Sequence, residues 1–483
     1  MAALALAMLA VWLPDHQYGD GRRYLGMFSA WGFGPEPMRH WAYIPTAVLG
    51  ERALEGLGIA WSPGLYLQLF SAACCAIGLG ATWLLARALG CTRRSSWCGV
   101  ALFGLAPGVM FFGRVVEVAA FQFAVTACVF AAVAIAGRGS LPRALFLTAL
   151  LGPALFLAHH GGLLLYAGLG ALATWVGRAE EGERGPVLTL PSLLLGATAA
   201  AIAAGLGLAL AAHLYGQSIT ELADGSGNQI ALDQRTSWLG SALENIVLPL
   251  AFAWPCVLLG ARSLARRSEV RGLLFVLLAG SLPALVFFTW WAVPERGAYL
   301  FGVLPLLGVL GAHGIESLLG ARVRLLPALG IAQLVLGTWT LAAWEAAGET
   351  ARHQARFDVL ERALEDVPGP KYLLTVDPYW QSPSARISNL LETSLANVLR
   401  IARDKELPPT VFVERIKATS GVQLLLIPGA VEHLYYDRTS LPALGPEDAF
   451  GPYVEQLELG IQQLFEVESL ADGAVWRLHS PQR

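Results

Sequence analysis

Apolar segments long enough to cross a lipid bilayer constrain this chain more than any other feature. Hydrophobic residues make up 55% of the 483 positions and charged residues only 14%, and a spanning helix needs about 20 mainly apolar residues. The sequence therefore predicts a polytopic α-helical membrane protein with a modest aqueous part. The predicted spans, about eleven by this length rule, are 1–14, 64–88, 96–113, 115–137, 143–158, 161–177, 190–213, 243–261, 272–293, 298–318 and 325–345.

The placement of arginine predicts how these spans are oriented. The connections between the spans form two alternating sets. One set is rich in arginine, and the short turns of the other set contain only Arg114, the His159–His160 corner and Arg296. Basic residues concentrate on the cytoplasmic side, so the N-terminus is predicted inside, and loops 15–63 and 214–242 and everything after 346 outside. The arginine-rich set of connections contains Arg87, Arg93, Arg94, Arg138, Arg143, Arg178, Arg184, Arg262, Arg266, Arg267, Arg271, Arg322 and Arg324.

The predicted architecture has two domains. Residues 1–345 form the transmembrane domain, and 346–483 form a small extracytoplasmic α/β domain, periplasmic in a bacterial inner membrane. That host is favoured by the absence of Asn-x-Ser/Thr sites and by the alanine-rich, lysine-poor composition. The predicted elements of the C-terminal domain are a helix at 349–366, a strand at 372–376, a helical stretch at 385–404, a strand at 422–427, a helix at 453–465 and a hairpin of 465–470 with 474–479.

The two long outer loops differ in composition. The 15–63 loop is rich in Trp, Tyr and Pro, and its residues 49–54 have the pattern of a short amphipathic helix in the membrane interface. The 214–242 loop is polar and glycine-rich, which suits either a mobile lid or a plain connection.

Several functional classes are excluded or disfavoured by composition. A net charge of −3 gives no basic surface for nucleic acid. All six cysteines lie within or beside apolar segments, so no disulfide framework supports the C-terminal domain. There is no Cys-x-x-Cys pair for zinc, and we assign no metal-binding residue from the sequence. Residues 1–13 lack a basic leader and a clear cleavage site, which disfavours a removable signal peptide.

Asp20 is the first candidate for chemistry. It follows the first span on the predicted outer side, where a carboxylate can act as general base toward a hydroxyl. The alternative is a loop acid paired with Arg22 or Arg23. Asp15 could share an acceptor or a cation with Asp20, although it could equally end the first span in water. A divalent cation therefore stays open as a cofactor.

Further polar residues fall at predicted outer helix ends. Arg114 and Glu117 share one helix face, and they form either a packed pair or a phosphate contact with its orienting acid. Adjacent His159 and His160 cannot both point the same way from a helix, so at most one is expected to reach a cavity. Arg296 is a second candidate anchor for an anionic head group, because its planar fork suits phosphate.

These residues fall within short motifs of a known superfamily. Asp20–Tyr24 (Asp-Gly-Arg-Arg-Tyr) resembles the first-loop Asp-x-x-Arg-Tyr motif of GT-C glycosyltransferases that use polyprenyl-phosphate sugars. Gly113–Val118, Leu157–Gly161 and Glu295–Pro305 are similar, in that order, to segments of its protein O-mannosyltransferase-like branch. Two positions depart from the pattern: Gly21 replaces a second acid, and Ala119 replaces a tyrosine.

The resemblance implies a membrane glycosyltransferase that moves a sugar from a polyprenyl-phosphate donor to an acceptor hydroxyl at the outer face, with inversion and Asp20 as base. Glycan, lipid or protein are possible acceptors. A transporter or flippase is a weaker alternative because no inverted repeat is seen, and a non-catalytic GT-C-like scaffold is favoured only by Gly21. The predicted substrate-binding residues are Asp15, Arg23, Tyr24, Arg114, Glu117, His159, His160 and Arg296.

Overall fold

The structure is a computed structural model in which the chain divides into two compact units. One unit contains 1–15 and 32–344, and the other contains 16–31 and 345–483. The described residues are 24, 28, 41–59, 61–179, 188–215, 240, 242–289, 297–321, 325–346, 362–364, 367–375, 390–394, 399, 402, 406–408, 411, 423–426, 456–457, 459–461, 463, 465–470 and 475–479.

The first unit is a bundle of α-helices joined by short turns. Three short 3₁₀ helices lie at His160–Leu165, Ser268–Val270 and Ala298–Gly302. A π-helical turn at Leu243–Val247 continues into a three-residue α-helical turn at Leu248–Leu250. The α-helices are α1 (Tyr43–Glu55), α2 (Pro63–Ala88), α3 (Arg93–Gly104), α4 (Pro107–Phe112), α5 (Val118–Ala136), α6 (Leu141–Leu151), α7 (Pro153–Ala158), α8 (Tyr166–Gly177), α9 (Leu190–Tyr215), α10 (Ala253–Arg266), α11 (Arg271–Thr289), α12 (Leu304–Ala321) and α13 (Leu325–Ala346).

The helices confirm the prediction of a multi-pass membrane protein. Among the described residues, six helices are long and apolar enough to cross a bilayer, or seven if a sharply bent pair counts as one span. From 64–88 onward, every predicted span coincides with a helix or with two successive helical segments. The predicted span at 1–14 lies outside the described residues.

Burial places α5 at the centre of this unit and α13 at its edge. In α5, 78% of the apolar window is buried, against 22% in α13. Large apolar side chains such as Leu194, Val286 and Val335 are exposed on the outer helices. An apolar exterior of this kind suits contact with lipid chains.

The predicted span at 243–261 is broken in the structure, because the chain bends by 86° between Leu250 and Ala253. Ala251 has a φ of 46° at the bend, a backbone conformation that costs energy in a residue other than glycine. Gln333 of α13 accepts a hydrogen bond from the Phe252 N–H and donates one to the Leu250 carbonyl, each 2.9 Å long. The fully buried Gln333 side chain therefore replaces the backbone partners that the break removes.

Four other predicted spans, 96–113, 143–158, 161–177 and 298–318, are also interrupted. The 96–113 segment forms α3 and α4 in succession, and the second begins at Pro107, which lacks a backbone N–H and suits the first turn of a helix. The 161–177 segment starts with the 3₁₀ helix His160–Leu165 before α8. Apolar composition predicts the span but not these breaks.

The described part of the second unit contains a mixed five-stranded sheet, which agrees with the predicted α/β class. The strand order is β2-β1-β3-β5-β4; β1 is parallel to β2 and β3, and β5 is antiparallel to β3 and β4. Ala363, Leu364, Val367, Leu373, Leu425 and Val475 form a buried apolar cluster beneath it. The strands are β1 (Lys371–Thr375), β2 (Leu390–Ser394), β3 (Gln423–Leu426), β4 (Glu466–Leu470) and β5 (Val475–His479).

The two central strands and the closing hairpin were predicted correctly. The predicted helical stretch at 385–404 is wrong at Leu390–Ser394, which pairs with β1 as an edge strand. Pairing with a strand distant in sequence overrides local helix propensity here.

Candidate functional site

The segment around α1 is docked onto the bundle by its first residues. The Ala42 N–H donates to the Leu157 carbonyl over 2.9 Å, and Trp41 packs on Phe156 with ring centroids 4.7 Å apart. Farther along, the Tyr66 hydroxyl donates to the Ala47 carbonyl over 2.6 Å. The helix predicted at 49–54 therefore exists as part of α1, and α1 lies over the starting end of α2 and the final end of α7.

Arg114 and Glu117 lie in a fully packed turn between α4 and α5. Their exposed fractions are only 6% and 9%. Arg114 Nε donates to the Met110 carbonyl over 2.9 Å. Glu117 caps α5, and its carboxylate accepts from the Val118 N–H over 3.1 Å. A carboxylate at a helix N-terminus is favoured by the helix dipole, so the turn presents an oriented acid and an oriented guanidinium.

Tyr43 of α1 faces this acid. Its ring lies between Phe70 and Phe121, with centroids 5.9 and 5.8 Å away. Burial raises the pKa of Tyr43, and the negative charge of Glu117 raises the pKa further. The phenol therefore stays protonated at neutral pH and can donate a hydrogen bond beside Glu117.

His159 and His160 form a stacked pair where α7 ends. Their ring centroids are 4.4 Å apart with an interplanar angle of 23°, so the two rings face the same way, contrary to what was predicted for adjacent histidines on a helix. His159 has extended backbone angles (φ −163°, ψ 134°) rather than helical ones, and this brings the neighbouring rings together. His159 Nδ1 accepts from the Gly161 N–H over 2.9 Å, so in the neutral ring Nε2 carries the proton.

Two further aromatic rings, Tyr299 and Phe288, lie next to the histidine pair. Tyr299 lies edge-on to His159 with centroids 5.9 Å apart and stacks on Phe288 of α11 at 4.5 Å. A histidine pair beside stacked aromatic rings offers both hydrogen bonds and flat apolar surfaces, which suits a sugar or a lipid head group.

The 3₁₀ helix Ala298–Gly302 connects the two groups of residues. Tyr299 and Phe301 both belong to it, and Phe301 packs edge-on to Phe112 at 5.3 Å and to Phe123 at 6.0 Å. These rings belong to α4 and α5, on either side of the Arg114–Glu117 turn. Tyr43, Arg114, Glu117, His159, His160 and Tyr299 therefore gather at one end of the bundle, and we call this set the acid–histidine cluster.

Of the other predicted site residues, the structure describes Tyr24. Tyr24 is 3% exposed and belongs to the second unit. Asp15, Asp20, Arg23 and Arg296 lie outside the described residues, so their assigned roles stay predictions. Sequence reasoning missed Tyr43 and Tyr299 as site residues. In the sequence, Tyr43 was marked only by the aromatic composition of the first loop, and Tyr299 only by its place in the Glu295–Pro305 segment.

One group of residues in the described part of the chain could hold a metal ion, and it lies away from this cluster. Cys91, His313 and Glu316 bring one ligand atom each to within 4.8 Å of the others. Helix α2 starts beside α1 and ends just before Cys91, and its 26 residues correspond to a length of about 39 Å. The acid–histidine cluster itself offers acid, base and hydrogen-bonding chemistry.

Comparison with known proteins identifies the fold. No protein-family model and no curated protein matches the sequence. ArnT from Cupriavidus metallidurans bound to undecaprenyl phosphate aligns with a TM-score of 0.61 at 14% identity, covering 99% of this chain and 98% of that one. The chain has a GT-C fold.

A second solved structure supports the same assignment. The Archaeoglobus fulgidus oligosaccharyltransferase, tethered to an acceptor peptide, aligns with a TM-score of 0.53 at 12% identity. The alignment covers 100% of this chain and 74% of the oligosaccharyltransferase chain. Both solved structures therefore agree with the predicted GT-C fold.

Proposed function

We propose that this protein is a membrane glycosyltransferase that moves a sugar from a polyprenyl-phosphate donor to an acceptor hydroxyl at the outer face of the membrane. The donor tail would lie among the helices, with its head group at the acid–histidine cluster. The second, α/β unit would be the extracytoplasmic domain of residues 346–483. A bacterial inner membrane and a relationship to the protein O-mannosyltransferase-like branch are parts of this proposal.

The proposed reaction needs one base and one cationic clamp. Asp20 takes the proton of the acceptor hydroxyl, whose oxygen attacks the anomeric carbon and forms the new glycosidic bond. The bond from that carbon to the phosphate oxygen breaks, and polyprenyl phosphate leaves from the opposite face, so the configuration inverts. Arg114 and Arg296 stabilise the negative charge on the departing phosphate.

The described residues have distinct roles in this scheme. Arg114, fixed through its Nε, positions a guanidinium for phosphate, and Glu117 orients it or contacts the acceptor. Tyr43, His159 and His160 supply hydrogen bonds to sugar hydroxyls, and Tyr299 supplies a flat ring against the sugar face. Asp15, Arg23 and Tyr24 complete the proposed first-loop binding residues.

One observation carries the proposal: a GT-C fold over nearly the whole chain, with a buried arginine and acid at one end of its helical bundle. Charged groups among apolar helices are costly and usually functional. ArnT with bound undecaprenyl phosphate and the oligosaccharyltransferase with its acceptor peptide illustrate a bound polyprenyl phosphate and a bound acceptor on this fold.

Substituting Asp20→Asn tests the proposed base. We expect a fall in sugar transfer of about 10²-fold or more, with binding of undecaprenyl phosphate unchanged. The assay uses protein in liposomes with undecaprenyl-phosphate-linked sugars, mannose first, and measures undecaprenyl phosphate released. Glu55→Gln, an exposed acid of the same loop, is the matched control and should leave transfer intact.

Three other results would contradict the proposal in different ways. Full transfer by Asp20→Asn would exclude the acid as base. Movement of the intact lipid-linked sugar across the membrane, without cleavage, would favour a flippase. Binding of undecaprenyl phosphate without transfer of any sugar in the panel by the unmodified protein would favour a scaffold.

A further inference from the structure

A second polar group lies at the opposite, arginine-rich end of the bundle. Cys91 follows Gly90, whose φ of 92° turns the chain between α2 and α3. His313 and Glu316 are three residues apart on α12 and therefore share one face. Their ligand atoms and the Cys91 Sγ all lie within 4.8 Å of one another.

Packing between helices holds this group in place. At Gly99 of α3, an added Cβ would lie 3.1 Å from the Cα of Ala312 on α12, so the two helices are in close contact next to His313. The Arg87 guanidinium donates to the Cys91 carbonyl, and Thr92 caps α3 by accepting from the Ser95 N–H over 3.2 Å. The cysteine is thus presented by a turn anchored on both sides.

The orientation of His313 points to a ligand. This side chain is only 9% exposed, and its Nε2 has no hydrogen-bond partner among the residues that the structure describes. The ring also hydrogen-bonds the backbone of Leu89, which must involve Nδ1. A backbone bond at one nitrogen fixes the tautomer and leaves the other nitrogen with a lone pair, the usual arrangement of a metal-binding histidine.

We propose that Cys91, His313 and Glu316 bind a zinc-class divalent cation. Mixed thiolate, imidazole and carboxylate ligands suit Zn²⁺, and three protein ligands leave a fourth position for water. A thiolate and a carboxylate neutralise the two positive charges of the ion. Tetrahedral bonds of about 2.0–2.3 Å require the three atoms to close in slightly, which side-chain rotation can supply.

The bound ion would crosslink two parts of the chain that are distant in sequence. It would join the α2–α3 turn to α12, two parts that meet only in the folded bundle. Because α2 separates this site from the acid–histidine cluster, the ion would stabilise the bundle rather than take part in sugar transfer. The inference is therefore independent of the proposed catalytic activity.

The metal content of the purified full-length protein tests the proposed metal site. We expect about one equivalent of zinc per chain after dialysis, by mass spectrometry of the metal. Replacement with Co²⁺ should give a thiolate-to-cobalt charge-transfer band. Cys91→Ser should abolish the band, and Glu316→Gln should weaken binding of the metal at least about 100-fold, the upper end of what losing an outer partner costs.

Cys98→Ser is the matched control, because Cys98 lies on α3, the helix that follows Cys91, but outside the group. It should retain zinc and the cobalt band. The proposal is overturned if the unmodified protein binds no stoichiometric Zn²⁺ or Co²⁺. It is also overturned if Glu316→Gln, at a partly exposed position that folding tolerates, binds the ions as tightly as the unmodified chain does.

Discussion

Glu117 combines a structural and a chemical role in one side chain. As the residue preceding α5 it satisfies the first backbone N–H of the most buried helix among those long enough to span a membrane, and as a carboxylate it places negative charge beside Tyr43. The two roles are separable because a glutamine side chain keeps the accepting oxygen but not the charge.

We predict that Glu117→Gln lowers sugar transfer about tenfold or more, equivalent to about 1.4 kcal/mol of transition-state free energy, while the melting temperature changes little. Glu117→Ala should lose the same activity and also about 1 kcal/mol of stability, the usual cost of a lost cap. Transfer assays and thermal unfolding of the detergent-solubilised proteins check both outcomes. Equal stability of the two variants would show that the cap contributes nothing.

Tyr43→Phe tests the hydroxyl of the tyrosine that faces Glu117. The ring should keep its packing against Phe70 and Phe121, so we expect unchanged folding. If the phenol binds sugar, loss of the hydroxyl should raise KM several-fold and reduce transfer accordingly. An effect on kcat alone would instead indicate that Tyr43 acts through Glu117.

At the residue scale, the sequence indicated polar positions but not their partners. Arg114, Glu117, His159 and His160 were recognisable because charge and imidazole stand out in apolar runs. Tyr43 looked like one aromatic residue among many in a loop. The grouping of Cys91 with His313 and Glu316 was not recognisable, because Cys91 is remote in sequence and only helix packing brings it close.

Among the elements, the bend before α10 depends on a single amide side chain. Gln333→Leu would leave the Phe252 N–H and the Leu250 carbonyl without their partner, at a cost of about 1–3 kcal/mol for each buried group. We therefore predict a drop of several degrees in melting temperature. The control Thr338→Val, on the exposed face of the same helix, should change little, and an unaltered Gln333→Leu protein would contradict the bracing role.

Element types followed from apolar periodicity, whereas breaks and one strand did not. A window of apolar residues predicts a span whether or not the helix inside it is continuous, so the bend at Ala251 and the break before Pro107 were missed. Strand β2 was predicted as helix because its pairing with β1 is a tertiary property. The fold class was nevertheless predictable, since it depends on the number and length of apolar segments.

For the whole molecule, sugar transfer at the outer face requires that the acid–histidine cluster faces the outer side of the membrane. Cys91, His313 and Glu316, at the other end of the bundle, then face the cytoplasm. The arginine-rich connections predict that α1 lies outside and the turn between α10 and α11 lies inside. Exposed Leu57 and Ser268 mark these two positions without removing any charge. We predict that a membrane-impermeant thiol reagent labels Leu57→Cys but not Ser268→Cys in intact cells, above the background of the unmodified chain. Permeabilisation should expose Ser268→Cys, because only the bilayer protects it. The reverse labelling pattern would place Glu117 on the cytoplasmic side and would rule out sugar transfer at the outer face.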